Sequence, residues 1–347
     1  MPRALGNADR RQGSGAMMDR RRFLAAGISA GLAALAPNAG ARGAAGRGLL
    51  RAADVHVDGY PTVEAVRWIG RYLRERTDGR LDTLVYHSGQ LGRETVTVDL
   101  VRFNALALTR VYLATMNDSV PATRILSLPF LIDSTPHLRR TLDGELGKVL
   151  LAQFERRDLV GLAFYDSGSR SIYNTKRPIH TPEDLRGLKL RVPVSEIFVR
   201  LIHALGANAT PLPYGEVFSA LQTHLIDGAE NNIKSFHSSR QFEAAHYWSE
   251  SKHTFTPDVL LMSRTAYEQL SPKDRDLIRE AAAASVPYAR SLWDASENKA
   301  REAIIAGGVK INPVDRESMR RATSAISREY LRDAELKRLY EYIRASA

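Results

Sequence analysis

Four polar residues stand at the ends of apolar runs: Arg170, Arg191, Asn231 and Asn232. Guanidinium groups and amides bind anions and hydroxyls, and they rarely carry out covalent chemistry. Arg191 is the most informative. In Leu188-Lys189-Leu190-Arg191-Val192-Pro193, the apolar residues fall at i, i+2 and i+4, which predicts one buried strand face. Lys189 and Arg191 fall on the other face, and Pro193 ends the pairing because it has no N–H. On spacing alone, Arg191 is either a solvated edge charge or a fixed planar fork that awaits an anion.

Other chemistries lack their signatures. The chain has no cysteine, which excludes disulfides, thiolate metal sites and cysteine nucleophiles and fits any redox compartment. It contains no Gly-x-Gly-x-x-Gly, no P-loop and no His-Glu-x-x-His. His246 and His253 are poorly spaced as metal ligands across an expected strand break. The carboxylates read individually as solvated surface groups, and no pair stands out as an acid/base couple. Gly27-Ile28-Ser29-Ala30-Gly31 matches a nucleophile elbow, but it lacks the preceding strand that the elbow requires.

The elements that position the four residues are legible in the hydropathy pattern. The chain has 347 residues, 44% of them hydrophobic, enough for two domains with their own cores. Strand and helix patterns alternate from Ala53 onward, which predicts an α/β fold with mostly parallel sheets and ligands at strand carboxyl ends. A single helix is expected from about Thr135 to Phe154. Ser271-Pro272 opens a long helical pattern that runs to about Ile305, with a bend at Pro287, and the last 35 residues read as charged helix.

Arg20-Arg21-Arg22-Phe23-Leu24 precedes an apolar run of roughly 13 residues and a small-residue zone, the layout of an export signal. The arginine cluster resembles a twin-arginine motif, and an ordinary Sec signal is the alternative. The run is shorter than the about 20 residues of a permanent anchor. Residues 1–41 hold six arginines and two aspartates, so their removal takes the net charge from +10 to about +6. The remaining positive charge is scattered among acids, and aromatics make up 7% of the chain, so a nucleic-acid partner is not expected.

Two blocks carry a family resemblance. "DSGSRSIYNTKRPIHTPEDLRGLKLRVP" and "LGANATPLPYGEVFSALQTHLIDGAENN" together resemble the DctP-type solute-binding proteins of tripartite ATP-independent periplasmic (TRAP) transporters. "HSGQLGRETV", "ILSLPFLI" and "VLLMSRTAYEQLSPKDRDLIREAA" extend the likeness over nearly the whole chain after the signal. The resemblance implies a two-lobe periplasmic-binding-protein-like fold with a cleft between the lobes and a long helix crossing both. It implies lobe I at about 47–167 with a return segment at about 257–296, and lobe II at 168–256 with the C-terminal helices, about 297–347, packed against it.

The resemblance also implies site roles. Arg191 pairs with the ligand carboxylate, which favours the fork over the edge charge. Arg170 is a second ligand-facing arginine, Asn231 an amide that contacts the ligand, Tyr214 an aromatic cleft wall or a core residue, and Glu94 an acid for polar ligand groups or a first-turn helix acid. His56 faces the cleft or is a structural histidine, and Asn232 and Glu230 beside Asn231 suit several hydroxyls. The spelling "DSGSRSIYN…GAENN" looks like a subgroup that includes binders of uronates and aldonates, although Val194 stands where some members place an amide. The expected protein is a periplasmic, non-enzymatic carrier of a small organic acid. It would deliver that acid to TRAP permease subunits, with no cofactor, no metal and no membrane anchor of its own. A periplasmic enzyme acting on sugar acids and a ligand-sensing partner of a receptor are the rival classes. A C4-dicarboxylate or another hydroxy or keto acid is the rival ligand.

Overall fold

Pro61 suits the first turn of a helix, where its missing N–H is no loss, and Val63, Val66, Ile69 and Leu73 recur at helical spacing. In the computed structural model, which describes residues 48–345, all four are buried: Val66, Ile69 and Leu73 against the first of two β-sheets, and Val63 with Tyr60 and Trp293. The export-signal expectation concerns residues 1–41 and lies outside the described residues.

The elements run β1 (Gly48–Ala53), α1 (Pro61–Arg76), β2 (Leu81–Tyr86), α2 (Glu94–Arg102) and β3 (Leu108–Tyr112). There follow α3 (Thr135–Asp143), α4 (Glu145–Ala152), β4 (Leu159–Tyr165), β5 (Arg170–Asn174), β6 (Lys189–Val192) and α5 (Glu196–Ala204). The chain continues through β7 (Asn208–Pro211), α6 (Val217–Gln222), β8 (Gly228–Asn231), α7 (Ile233–Ser238), β9 (Tyr247–Thr254) and β10 (Asp258–Ser263). It ends with α8 (Arg264–Glu268), α9 (Pro272–Ala306), β11 (Lys310–Pro313), α10 (Arg316–Tyr330) and α11 (Ala334–Ala345).

The first sheet has the order β2-β1-β3-β10-β4 and the second β11-β9-β5-β8-β6-β7. The fold is thus α/β with two lobes, as expected, but the sheets are mixed rather than mostly parallel. β10 runs antiparallel to both β3 and β4, and β5 antiparallel to both β8 and β9. The reason is connectivity: β4–β5 and β9–β10 carry the chain from one sheet to the other, and each return strand enters its sheet reversed. Short segments, 166–169 and 255–257, make these crossings.

The long helix α9 makes the third crossing. Ile278, Ala281, Ala282 and Ala289 belong to the core of the first sheet, and Ile304 to a core of the second. Trp293 lies between them against Tyr60. Ser271 caps the helix by accepting from Asp274 N at 3.1 Å, and Pro287 lies within it, as the sequence predicts.

Two expectations need correction. The helix expected over 135–154 is broken at Gly144, whose extended ψ of −166° redirects the chain between α3 and α4. A Cβ on Gly147 would lie 1.9 Å from Leu142 O, so this corner needs a glycine for its close backbone approach. The C-terminal helices also divide. α10 packs on α5 and β9, but α11 packs on the 3-10 turns of Pro121–Ser127, which precede β4. Its buried Leu336 and Ile343 share a core with Leu126, Leu138 and Leu142, and Ile343 O lies 3.1 Å from His137 Nε2. The turn at residues 331–333 reverses the chain so that this apolar stripe is covered.

Candidate functional site

All seven residues singled out in the sequence line one cavity between the sheets: His56, Glu94, Arg170, Arg191, Tyr214, Asn231 and Asn232. The space opens into an outer mouth that shares Val55, Glu94, Arg191, Pro193 and Tyr214 with it. His56 follows β1, Glu94 opens α2, and Arg110 lies in β3, so these come from the first sheet's side. Arg170, Arg191 and Asn231 are on β5, β6 and β8, and Tyr214 follows β7, so these come from the second.

The two arginines on the second side differ in their partners. Arg170 donates from Nε to Glu230 Oε2 at 2.6 Å and from Nη2 to Glu230 Oε1 at 2.8 Å. It also donates from Nη1 to Asn231 Oδ1 at 2.8 Å, and its guanidinium stands 4.5 Å over the Tyr112 ring. Burial disfavours its charge, but Glu230, with help from Tyr112 and Tyr173, more than offsets that and raises the pKa. Arg191 is 4% exposed, which excludes the solvated edge charge. Its Nε donates to Leu212 O at 2.8 Å, and among the described residues no carboxylate lies within 4.0 Å as an ion-pair partner. Burial therefore lowers its pKa, with Glu230 opposing at a distance and Arg170 adding to the effect. Arg191 is a desolvated cation with its outer fork turned to the cavity rim.

The amides have fixed orientations. Asn231 Oδ1 accepts from Arg170 and from Asn232 N, so its Nδ2 is the end left for other partners. Asn232 caps α7: its Oδ1 accepts from Ser235 N at 2.7 Å, and its Nδ2 reaches Ser167 Oγ at 3.4 Å. Its amide is largely used within the protein, unlike the hydroxyl-binding amide expected. Glu230 likewise does not face hydroxyls. It is fully buried, and Arg170 and His253 occupy its carboxylate.

On the first side, Glu94 Oε1 accepts from Arg110 Nη1 at 3.0 Å and Tyr112 N at 2.8 Å, and Oε2 accepts from Thr115 Oγ1 at 3.1 Å. One lone pair of Oε2 is left. His56 stacks on Tyr60 with centroids 3.7 Å apart and meets Tyr214 edge-on at 5.3 Å. Burial, then the Arg110 charge, push its pKa down to about 4, so it is neutral at pH 7. His56 Nδ1 faces the Arg110 guanidinium and lies 3.2 Å from Asp54 Oδ1, and Nε2 lies 3.5 Å from Ser235 Oγ.

The sequence reading missed Arg110, Asp54, Asp258 and Ser235. Arg110 is 1% exposed and joins Asp54, Glu94 and Asp258. Burial raises Asp54, but Arg110 and His56 more than offset it and hold this carboxyl well below the usual range. Asp258 is pushed up to about 7, by burial first, with Arg110 opposing. A signal existed. Arg110 interrupts "LTRVYLA" and Asp258 opens "DVLLMS", and a charge inside an apolar strand is paired or functional. Among the described residues no group of three or more acids and histidines is arranged to hold a metal ion. The cavity can take an anion at Arg191 and polar groups at Asn231, Glu94 and Asp258.

The chain also has relatives of known family and fold. The chain matches the description "bacterial extracellular solute-binding protein, family 7" over residues 52–333. A solute-binding protein of Chromohalobacter salexigens is 38% identical over 265 residues, covering 76% of this chain and 79% of that protein. A TRAP periplasmic solute-binding protein from Xanthobacter autotrophicus Py2, solved with bound β-D-galacturonate, has a TM-score of 0.84 at 41% identity and covers 86% of this chain and 99% of its own. A TRAP periplasmic solute-binding protein from Roseobacter denitrificans, solved with bound β-D-glucuronate, has a TM-score of 0.83 at 36% identity, with 86% and 100% covered.

Proposed function

Because the chain belongs to family 7 of the bacterial extracellular solute-binding proteins, we propose that it captures a sugar acid, foremost a uronate, and delivers it from the periplasm to a TRAP membrane permease. The observation that carries this reading is Arg191: a buried guanidinium with no acid partner among the described residues, on the wall of the cleft between the sheets. A ligand carboxylate supplies the missing countercharge through two parallel charge-assisted bonds. Arg170, held by Glu230, orients the amide of Asn231 so that its N–H groups serve the same ligand. The bound uronates in similar structures fit this chemistry.

The lobes meet around the cavity. Tyr60 Oη and Ser235 Oγ are 2.9 Å apart across the cleft, and Asn117 Nδ2 reaches Ser195 Oγ at 3.4 Å. This is a closed arrangement, in which ligand binding and lobe closure stabilise each other, and the closed form docks on the permease. The functional test is a thermal-shift screen over uronates, aldonates and C4-dicarboxylates. A ligand at 100 times its Kd adds about 2.7 kcal/mol to the folded state. Mass spectrometry after overnight incubation should return the best ligand unchanged. A new product in excess over protein would favour the enzyme reading, for which Asp258, with its raised pKa, is the candidate acid/base group.

A further inference from the structure

The cavity is polarised from one lobe to the other. The second lobe supplies Arg191 and Arg170. The first lobe presents Glu94 and Asp258 around Arg110, with Asp54 directly behind. Within this acidic end Asp258 is distinctive. It is 1% exposed, and among the described residues its carboxylate makes one long bond, 3.4 Å from Oδ1 to Arg110 Nη1. Its Oδ2 is buried, lacks any hydrogen-bond partner and belongs to a residue on the cavity wall. A buried oxygen left unmatched is costly, and such atoms in folded proteins call for an explanation. Glu94 does not share this state, because Arg110, Tyr112 and Thr115 occupy most of its carboxylate.

We infer that Asp258 is a specificity-determining residue: it bonds a ligand hydroxyl at the first-lobe end of the cleft and turns away a second carboxylate there. The inference rests on the reading that Arg191 holds the ligand's one carboxylate. A hydroxyl can donate to the free Oδ2 when Asp258 is ionised, and can donate or accept when it is protonated. A carboxylate at the same place can only accept: it finds no donor on an ionised Asp258, and it would share a desolvated space with Glu94, Asp54 and Asp258 beside Arg110, while Arg170 is already paired with Glu230. The cleft is therefore matched to an acid that is anionic at one end and hydroxylated at the other. Uronates and aldonates have that form. Aldarates and C4-dicarboxylates do not.

The test compares galacturonate with galactarate, which carries carboxylates at both ends, by calorimetric titration of wild type and Asp258→Asn at pH 8.5, where Asp258 is ionised. Wild type should bind galactarate at least about 100-fold more weakly, because like charges facing each other in a closed site cost several kcal/mol. Asp258→Asn should shrink that ratio about tenfold or more. Any difference between ring and open-chain ligand is common to both proteins and cancels in the comparison. Galactarate binding by wild type within threefold of galacturonate would overturn the inference, whether or not the variant folds. So would a folded Asp258→Asn, or a folded Asp258→Ser, with an unmoved ratio. A wild type that binds no sugar acid at all would remove the Arg191 reading and this inference with it, whereas normal galacturonate binding with an unmoved ratio removes this inference alone.

Discussion

Arg170 and Glu230 form a two-point ion pair, Nε–Oε2 at 2.6 Å and Nη2–Oε1 at 2.8 Å, with both residues almost fully buried. The two cleft arginines therefore differ in their partners: Arg170 is neutralised inside the protein and braces Asn231, whereas Arg191 has no ion-pair partner among the described residues, as the proposed carboxylate role requires.

Glu230→Gln should therefore damage the fold more than a surface change would. It removes the countercharge of a buried guanidinium and weakens the contact to His253. Breaking one side of such a pair costs about 3–5 kcal/mol. Chemical denaturation of the ligand-free protein measures this, and a loss below about 1 kcal/mol would show that Arg170 finds water or another partner.

Closure has its own readout. Ser235 Oγ meets Tyr60 Oη at 2.9 Å and His56 Nε2 at 3.5 Å, both across the cleft. Its backbone N–H, which receives the Asn232 cap, is kept in Ser235→Ala, so α7 should survive. Loss of the short Tyr60 bond, about 0.5–1.5 kcal/mol, with the long His56 contact adding little, should weaken ligand binding about 2- to 13-fold with little change in melting temperature. Unchanged affinity would mean that the contact is not part of the bound state.

Much of this was legible beforehand, for identifiable reasons. Arg191 and Asn231 stand at the ends of strands with clear period-two or apolar patterns, so their placement at the cleft follows from the fold class. Arg110 and Asp258 were not found, because a single charge in an apolar run shows no partner in the sequence. Asp54 and Asp258 are 204 positions apart yet both reach the Arg110 guanidinium. The mixed sheets were hidden for a similar reason: crossings of a few residues look like ordinary loops until the strand order is known. Asn232 was assigned to the ligand although Asn-Ile-Lys-Ser opens a helix, a position where a capping amide is the simpler reading.

Asp258 should also leave a mark on stability. Its folded pKa, about 7, lies above the unfolded value of 3.8, so the folded protein binds the extra proton between those limits. That contribution is fully present below about pH 4 and is lost as the pH rises through about 7. His56 runs the other way, from 6.5 unfolded to about 4 folded, but it is common to wild type and Asp258→Asn. The variant should accordingly gain stability relative to wild type as the pH rises from 4.5 to 7.5. Denaturant titrations at several pH values that show a constant difference would contradict a raised pKa for the buried Asp258.

The central claim is that Arg191 binds the ligand carboxylate, and calorimetric titration of wild type and Arg191→Ala with galacturonate tests it most directly. Removing one partner of a buried charge pair costs about 2–5 kcal/mol, so affinity should fall roughly 30- to 5,000-fold. Arg191→Lys should recover only part of it, because an ammonium lacks the planar fork. Circular dichroism should show both variants folded, since Leu188, Leu190 and Val192 keep the strand's buried face. A folded Arg191→Ala protein that binds within threefold of wild type would contradict the account.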